Sequence, residues 1–268
     1  MAVMFTQGLE LKLSELVSVF KQRPLVMLRS LVVVLALVPI AALAIILLFK
    51  PSPGVVIGLA ILAASPAPPF QLRNIHKKVG SLVYLHALHL SLALLSIITV
   101  PTVLYLLSEA LGFQAEVSVF EVAKTVGQAL LLPVVAGMVF AAVFPKVADR
   151  IGPTLGKIAE IALYVMVVLV LIKTSSLLLK MDAWSYVVMT IFIIVNFGLG
   201  HVLGTRDAQE RTTLAMESGA RNFGLAMTIG VLNFSAERTL AVLIPYIILF
   251  AVISTLYLKW RARQTATG

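Results

Sequence analysis

The stretch AMESGARNFG, from Ala215 to Gly224, interrupts a run that otherwise has the composition of a membrane-spanning helix. It places the carboxylate of Glu217, the glycine Gly219 and the guanidinium of Arg221 within five residues. A charged side chain at the centre of a bilayer costs about 2.5–3.5 kcal/mol on insertion scales, and such residues usually mark a functional polar interior. The stretch therefore predicts a broken membrane helix at a polar centre. A structural ion pair between Glu217 and Arg221, four residues apart, is the alternative.

Composition indicates an integral membrane protein. Of the 268 residues, 60% are hydrophobic and 12% are charged, and the mean hydropathy is +1.03; a soluble domain has roughly 25% charged residues. The chain has no cysteine, which excludes disulfides, thiolate metal sites and cysteine nucleophiles. The N-terminus lacks the pattern of a cleaved signal peptide.

Apolar runs long enough to cross a bilayer recur along the chain. They predict eight spans: 25–49, 54–79, 81–107, 122–144, 155–179, 184–204, 212–234 and 238–259. Before them, segment 9–23 has an apolar helical face made by Leu9, Leu13, Leu16, Val17 and Phe20. This pattern predicts an amphipathic helix on the membrane surface, with packing against the rest of the protein as the alternative.

The distribution of lysine and arginine predicts the orientation. If both termini are cytoplasmic, 15 of the 21 Lys and Arg residues fall on the cytoplasmic side, four fall outside and two lie within spans. The net charge of +9 is thus explained by topology and does not predict a nucleic-acid partner. We expect a multi-pass protein of the cell inner membrane.

A second interruption lies in the stretch SPAPP, Ser65–Pro69, where three prolines in five residues cannot continue a helix. Each interrupted span has one span before it and one after it, and the two run in opposite directions. The predicted fold is therefore all-α and membrane-integral, with eight transmembrane helices in inverted repeats and two discontinuous helices that cross. Its predicted parts are an amphipathic cytoplasmic segment 1–24, repeats 25–107 and 181–268, and an intervening segment 108–180, which is the panel in the resemblance described below.

Paired broken helices are the best sequence pointer to a transporter's binding site at the bilayer midplane. Unwound carbonyls there coordinate cations and half-helix N-termini attract anions. The predicted substrate-binding residues are Pro66, Ala67, Pro68, Ser218, Gly219, Arg221 and Asn222. Close packing of another helix is predicted at the small-residue pair Gly200 and Gly204.

At these residues the sequence resembles the bile acid:sodium symporter superfamily, which has a CPGGTASN-like break and an ETGxQN-like break. The corresponding stretches here are SPAPPFQL, Ser65–Leu72, and ESGARN, Glu217–Asn222. Similarity extends to Gly8–Pro24, Leu131–Phe140 and Asn196–Gly204. The resemblance implies a core domain that holds both breaks, and a panel domain from which the family's first helix and most of the second are missing. A homodimer or a partner subunit would then complete the panel.

The resemblance also implies two sodium sites, built from oxygens of both breaks and of the following helix. An ungapped alignment places Gln71 and Leu72 at two ligand positions, and Leu85 and His89 where the family has hydroxyls. Glu217 matches the shared acidic ligand and Asn222 is kept, whereas Arg221 replaces a glutamine. We hypothesise that Arg221 takes the place of a sodium ion and neutralises Glu217. Coupling would then pass to protons, with Glu217 or His89 as the carrier.

The leading functional hypothesis is a secondary transporter of a small organic anion, with sodium or a proton as the only ion and no other cofactor. Arsenite efflux is disfavoured because the chain has no cysteine. A non-transporting membrane subunit or sensor of the same fold is the main alternative. An enzyme is not expected, since only the pair His86 and His89 suggests one, and these two histidines do not suffice for a metal site.

Overall fold

The computed structural model describes residues 2–66, 82–113, 119–233 and 236–266, and helices account for nearly all of them. The helices are α1 (Ala2–Glu10), α2 (Leu13–Gln22), α3 (Pro24–Val32, a π-helical turn Val33–Leu37, and Val38–Phe49), α4 (Pro53–Ala64), α5 (Leu82–Leu111), α6 (Val119–Val126, a π-helical turn Gly127–Leu131, and Leu132–Val143), α7 (Pro145–Lys180), α8 (Ala183–Val202), α9 (Ala208–Gly219), α10 (Phe223–Asn233) and α11 (Ala236–Ala266).

Local sequence signals explain where several helices begin. Prolines stand at the first turns of α3, α4 and α7, where a missing N–H costs no hydrogen bond. Aspartates cap α8 and α9, since Asp182 accepts from the N–H of Ser185 and Asp207 from that of Glu210, both at 2.8 Å. The hydrogen bonds from Ser185 lower the pKa of Asp182, because they stabilise its ionised form.

Five of the described helices are long and apolar enough to cross a membrane. They are Pro24–Phe49, Val83–Leu111, Phe120–Val143, Ala183–Val202 and Thr239–Gln264. The chain is therefore an all-helical, multi-pass membrane protein. The predicted span 54–79 begins with the short α4 and then leaves the described residues, 155–179 lies inside the longer α7, and 212–234 is divided between α9 and α10. The count of eight spans and the inverted repeats stay predictions.

The N-terminal segment differs from the single helix predicted over 9–23. Here α1 ends at Glu10 and α2 begins at Leu13, so the expected helix bounds are wrong. The first helix packs tightly on α6, since a Cβ added at Gly8 would overlap the carbonyl oxygen of Val134. The second helix packs on α5, as the predicted alternative has it, but it has no fully buried residue and leaves Leu13 57% exposed.

Helix α9 lies directly on α8, and the predicted close packing at Gly200 and Gly204 is confirmed. A Cβ at Gly200 would stand 2.5 Å from the Cα of Ala215, and one at Gly204 would stand 2.9 Å from the Cα of Arg211. The α4 helix packs against α10 and α11. These contacts bring the end of α4 next to the junction of α9 and α10.

Candidate functional site

The second predicted break is present in the structure. Helix α9 ends at Gly219, three non-helical residues follow, and α10 begins at Phe223. A side chain at Gly219 would overlap the ring of Phe197 on α8, so the close approach of the two helices requires glycine here. The helix therefore stops inside the packed core, and its end needs partners from other elements.

The ends of the two predicted broken helices meet. The backbone N–H of Asn222 donates to the carbonyl of Ser65, the residue that follows α4, at 2.9 Å. Both residues are completely buried. The side-chain oxygen of Asn222 accepts from the N–H of Leu225 at 3.0 Å and so caps α10. Pro66 adjoins this junction in sequence, whereas the predicted site residues Ala67, Pro68 and Gln71 lie outside the described residues.

Glu217 lies in the last turn of α9 and is completely buried. Its carboxylate faces His89 of α5, with 3.7 Å between Oε2 and Nδ1. This separation exceeds hydrogen-bond length. Neither carboxylate oxygen of Glu217 accepts a hydrogen bond within the described ranges. The structure thus brings together the two residues that the sequence proposed as proton carriers.

Arg221 turns back onto the end of α9 rather than onto the carboxylate of Glu217. Its Nη2 donates to the backbone carbonyl of Glu217 at 3.2 Å and to that of Ser218. The guanidinium thereby sits at the negative end of the helix dipole, where a cation is stabilised. The other two nitrogens, Nε and Nη1, are buried and form no hydrogen bond to any part of the chain that the structure describes.

Tyr246 of α11 completes the polar centre, and the sequence analysis missed it. Its buried hydroxyl donates to the carbonyl of Gly219 at 2.7 Å. Its ring pairs with those of Phe192 and Phe250, at centroid separations of 6.1 and 6.4 Å. A tyrosine inside an apolar span is a usable signal, because a buried hydroxyl needs a hydrogen-bond partner.

Helices α8 and α9 each carry a further buried polar residue. The hydroxyl of Ser218 and both polar atoms of the Asn196 amide are buried without a hydrogen-bond partner among the described residues. The sequence analysis quoted Asn196 only within a motif. Buried polar groups in native proteins nearly always find partners, and ordered water or a bound molecule counts among them. This cluster therefore has the polar capacity to hold one.

The two histidines of α5 have different partners. The Nδ1 of His86 lies 2.9 Å from Oε2 of Glu15 on α2, whereas His89 faces Glu217. The pair thus does not converge on one ligand, although the two positions have the i, i+3 spacing of one helical face. His86 instead joins the N-terminal segment to α5.

This fold and site define a class of protein: a multi-pass helical membrane protein in which helix ends meet at a buried, charged centre, as in secondary transporters. The sequence profile of the Sodium Bile acid symporter family matches residues 1–181, and the chain belongs to that family. Membership implies a sodium-coupled symporter in general. The matched range ends before α9, so Glu217, Arg221 and Tyr246 lie outside it. A comparison with curated proteins gave no match.

Proposed function

We propose that this protein is a secondary active transporter of small organic anions that works by alternating access. The observation that carries the proposal is the buried guanidinium of Arg221, with two nitrogens that have no partner in the described part of the chain. A buried donor without an acceptor is costly, and more so when it is charged. An anionic ligand would supply an acceptor for one of them.

Carboxylates and sulfonates are suitable acceptors for these donors. A guanidinium N–H forms a charge-assisted hydrogen bond to an anionic oxygen that is stronger than a hydrogen bond between neutral groups. Helix α10 begins two residues after Arg221, and the positive end of its dipole favours the same negative charge. The proposed substrate is therefore an organic anion such as a bile acid, a carboxylate or a sulfonate. Its apolar body would contact the surrounding side chains.

Altered ion coupling forms part of the proposal. The carboxylate of Glu217 faces a histidine, and the adjacent helix end already carries the positive charge of Arg221. Protons carried by Glu217 or His89 would then drive transport in place of sodium. We expect uptake to persist when choline replaces sodium, and to increase when the side from which the substrate enters is made more acidic. Strong dependence of uptake on sodium would refute this part of the proposal.

The proposed orientation has both termini in the cytoplasm of a cell whose inner membrane holds the protein. It follows the excess of lysine and arginine on that side. The orientation places the N-terminal helices and the end of α11 at the cytoplasmic surface.

Transport can be tested with the purified protein in proteoliposomes. A panel of bile acids, short carboxylates and sulfonates is first screened for an increase in unfolding temperature, and the hits are then assayed for uptake. We expect saturable uptake of at least one stabilising anion, with empty liposomes as the control. Stabilisation without uptake would instead support the alternative of a non-transporting subunit or sensor. A panel with neither stabilisation nor uptake would contradict the proposal.

A further inference from the structure

The sodium that the family implies does not fit the end of α9. We propose that Arg221 and Tyr246 together form a built-in replacement for a bound cation at this helix end, so that the protein binds no sodium there. The inference rests on the proposed transport function, because the exclusion of sodium affects the cell only if the protein is a transporter. Its test measures ion binding and does not require transport.

The fit of sodium depends first on free oxygens. Sodium prefers oxygen ligands, and in transporters with broken helices these come largely from unwound carbonyls and the C-terminal ends of half-helices. In this chain the carbonyls of Glu217 and Ser218 accept from Arg221, and that of Gly219 accepts from Tyr246. The carbonyl of Met216 accepts from the N–H of Ala220 at 2.9 Å. All of the carbonyls in the last turn of α9 thus have protein donors.

The oxygens of the facing junction are also engaged. The carbonyl of Ser65 accepts from Asn222, and the hydroxyl of Ser65 donates to the carbonyl of Ile61 at 2.7 Å. The side-chain oxygen of Asn222 accepts from Leu225. Among these groups the Glu217 carboxylate keeps its lone pairs, and it faces His89. The Ser218 hydroxyl is a further buried oxygen without a partner among the described residues. The Arg221 guanidinium, however, is bonded to the carbonyls of Glu217 and Ser218, and its fixed charge repels a second cation from both side chains.

The charge at this helix end also argues against a bound sodium ion. The C-terminal end of a helix carries about half a negative charge, which a cation neutralises. The guanidinium of Arg221 already supplies that positive charge through two hydrogen bonds to the helix end. A sodium ion at the same place would be repelled by a fixed charge that it cannot displace.

Tyr246 has a separate part in this arrangement. Arg221 donates to the Glu217 and Ser218 carbonyls but not to that of Gly219, which the Tyr246 hydroxyl occupies. The stacked ring of Phe250 and the tilted ring of Phe192 hold the tyrosine in place from α11 and α8. The Tyr246 hydroxyl thus occupies the last carbonyl of α9 and holds this helix end against α11. It is a positioning residue in this proposal.

The test compares sodium binding by purified wild-type protein with that of Arg221→Gln, Tyr246→Phe and the double variant. The readouts are the unfolding temperature in sodium chloride against choline chloride, and direct binding of radioactive sodium. We expect no sodium-specific effect in wild type or in Tyr246→Phe. The double variant frees three carbonyls, so sodium should raise its unfolding temperature by about 3 °C or more, saturably.

Saturable sodium binding by the wild-type protein would overturn the inference, and this result needs no variant to fold. Folded Arg221→Gln and double variants that still bind no sodium would overturn it too, because Arg221 and Tyr246 would then not be what excludes the ion. The anion screen on the same wild-type preparation tests the transport proposal separately. If the transport proposal fails, the result on sodium binding is unaffected.

Discussion

Replacing Arg221 by methionine is expected to reduce organic-anion uptake by about 10-fold to 100-fold. The substitution keeps an unbranched apolar stem and removes the guanidinium with its free Nε and Nη1 donors. A hydrogen bond to a charged group contributes about 1.5–3 kcal/mol, so the loss of the one that the anion accepts weakens substrate binding by about 10-fold to 100-fold. Initial uptake rates over a range of substrate concentrations measure the effect.

Matched variants separate this effect from a general loss of charge. Arg150 is exposed on α7, and Arg150→Met should leave uptake within about twofold of wild type. Arg221→Lys keeps the positive charge without the planar pair of donors, and we expect an intermediate rate. Unfolding temperatures show whether each variant is folded. A folded Arg221→Met that transports within a few-fold of wild type would contradict the assigned role.

Gly200→Ala is expected to cause a large loss of stability from a single methyl group. The added Cβ would stand 2.5 Å from the Cα of Ala215 and 2.6 Å from the carbonyl oxygen of Leu214. Both atoms belong to the backbone of α9, so no side-chain rotation relieves the clash and the helices must separate. Overpacking costs typically about 1–3 kcal/mol, and occasionally more, which lowers the unfolding temperature by several degrees.

The same helix provides the control. A Cβ at Gly198 would meet nothing within 4 Å, so Gly198→Ala should be neutral or slightly stabilising. The Gly200 variant should also lose anion binding, because the carbonyls of Glu217 and Ser218 at the end of α9 hold Arg221. Equal unfolding temperatures for the two alanine variants would show that α9 does not rest on α8 as described.

The end of α4 and the break after Gly219 were predictable from sequence because local chemistry favours both. A proline interrupts a helix in most surroundings, and Pro66 follows the end of α4, whereas the rest of the SPAPP stretch lies outside the described residues. Glycine only weakens a helix, and at Gly219 the charged neighbours add to that effect. The pairing of Arg221 with the Glu217 carboxylate was not predictable from their spacing. Residues four apart face each other only on a continuous helix, and this helix ends at Gly219 before Arg221 is reached. The guanidinium therefore meets the end of the helix instead of its side.

Contacts between segments that are distant in the chain could not be predicted from the sequence. Tyr246 reaches Gly219 across 27 positions, and no local pattern connects them. The N-terminal segment was predicted as one surface helix, yet Gly8 fits against Gly137 and holds α1 on α6. Such glycine crossings become visible only when both helices are placed. The predicted partner subunit or second copy stays a prediction.

The central claim is that the two broken helices meet at one buried junction, and cysteine cross-linking tests it most directly. The natural chain has no cysteine, so Ser65→Cys with Asn222→Cys introduces a single pair. The Ser65–Asn222 contact runs through the backbone and should survive both substitutions. Ser52→Cys with Ser185→Cys is the positive control, because those hydroxyl oxygens lie 3.3 Å apart.

Ser52→Cys with Asn222→Cys is the negative control, since Ser52 and Ser65 flank opposite ends of α4. We predict that oxidation or a short bifunctional reagent links positions 65 and 222 in the membrane, as it links 52 and 185, and does not link 52 and 222. Cross-linking of the 52 and 185 pair without any between 65 and 222 would contradict the account.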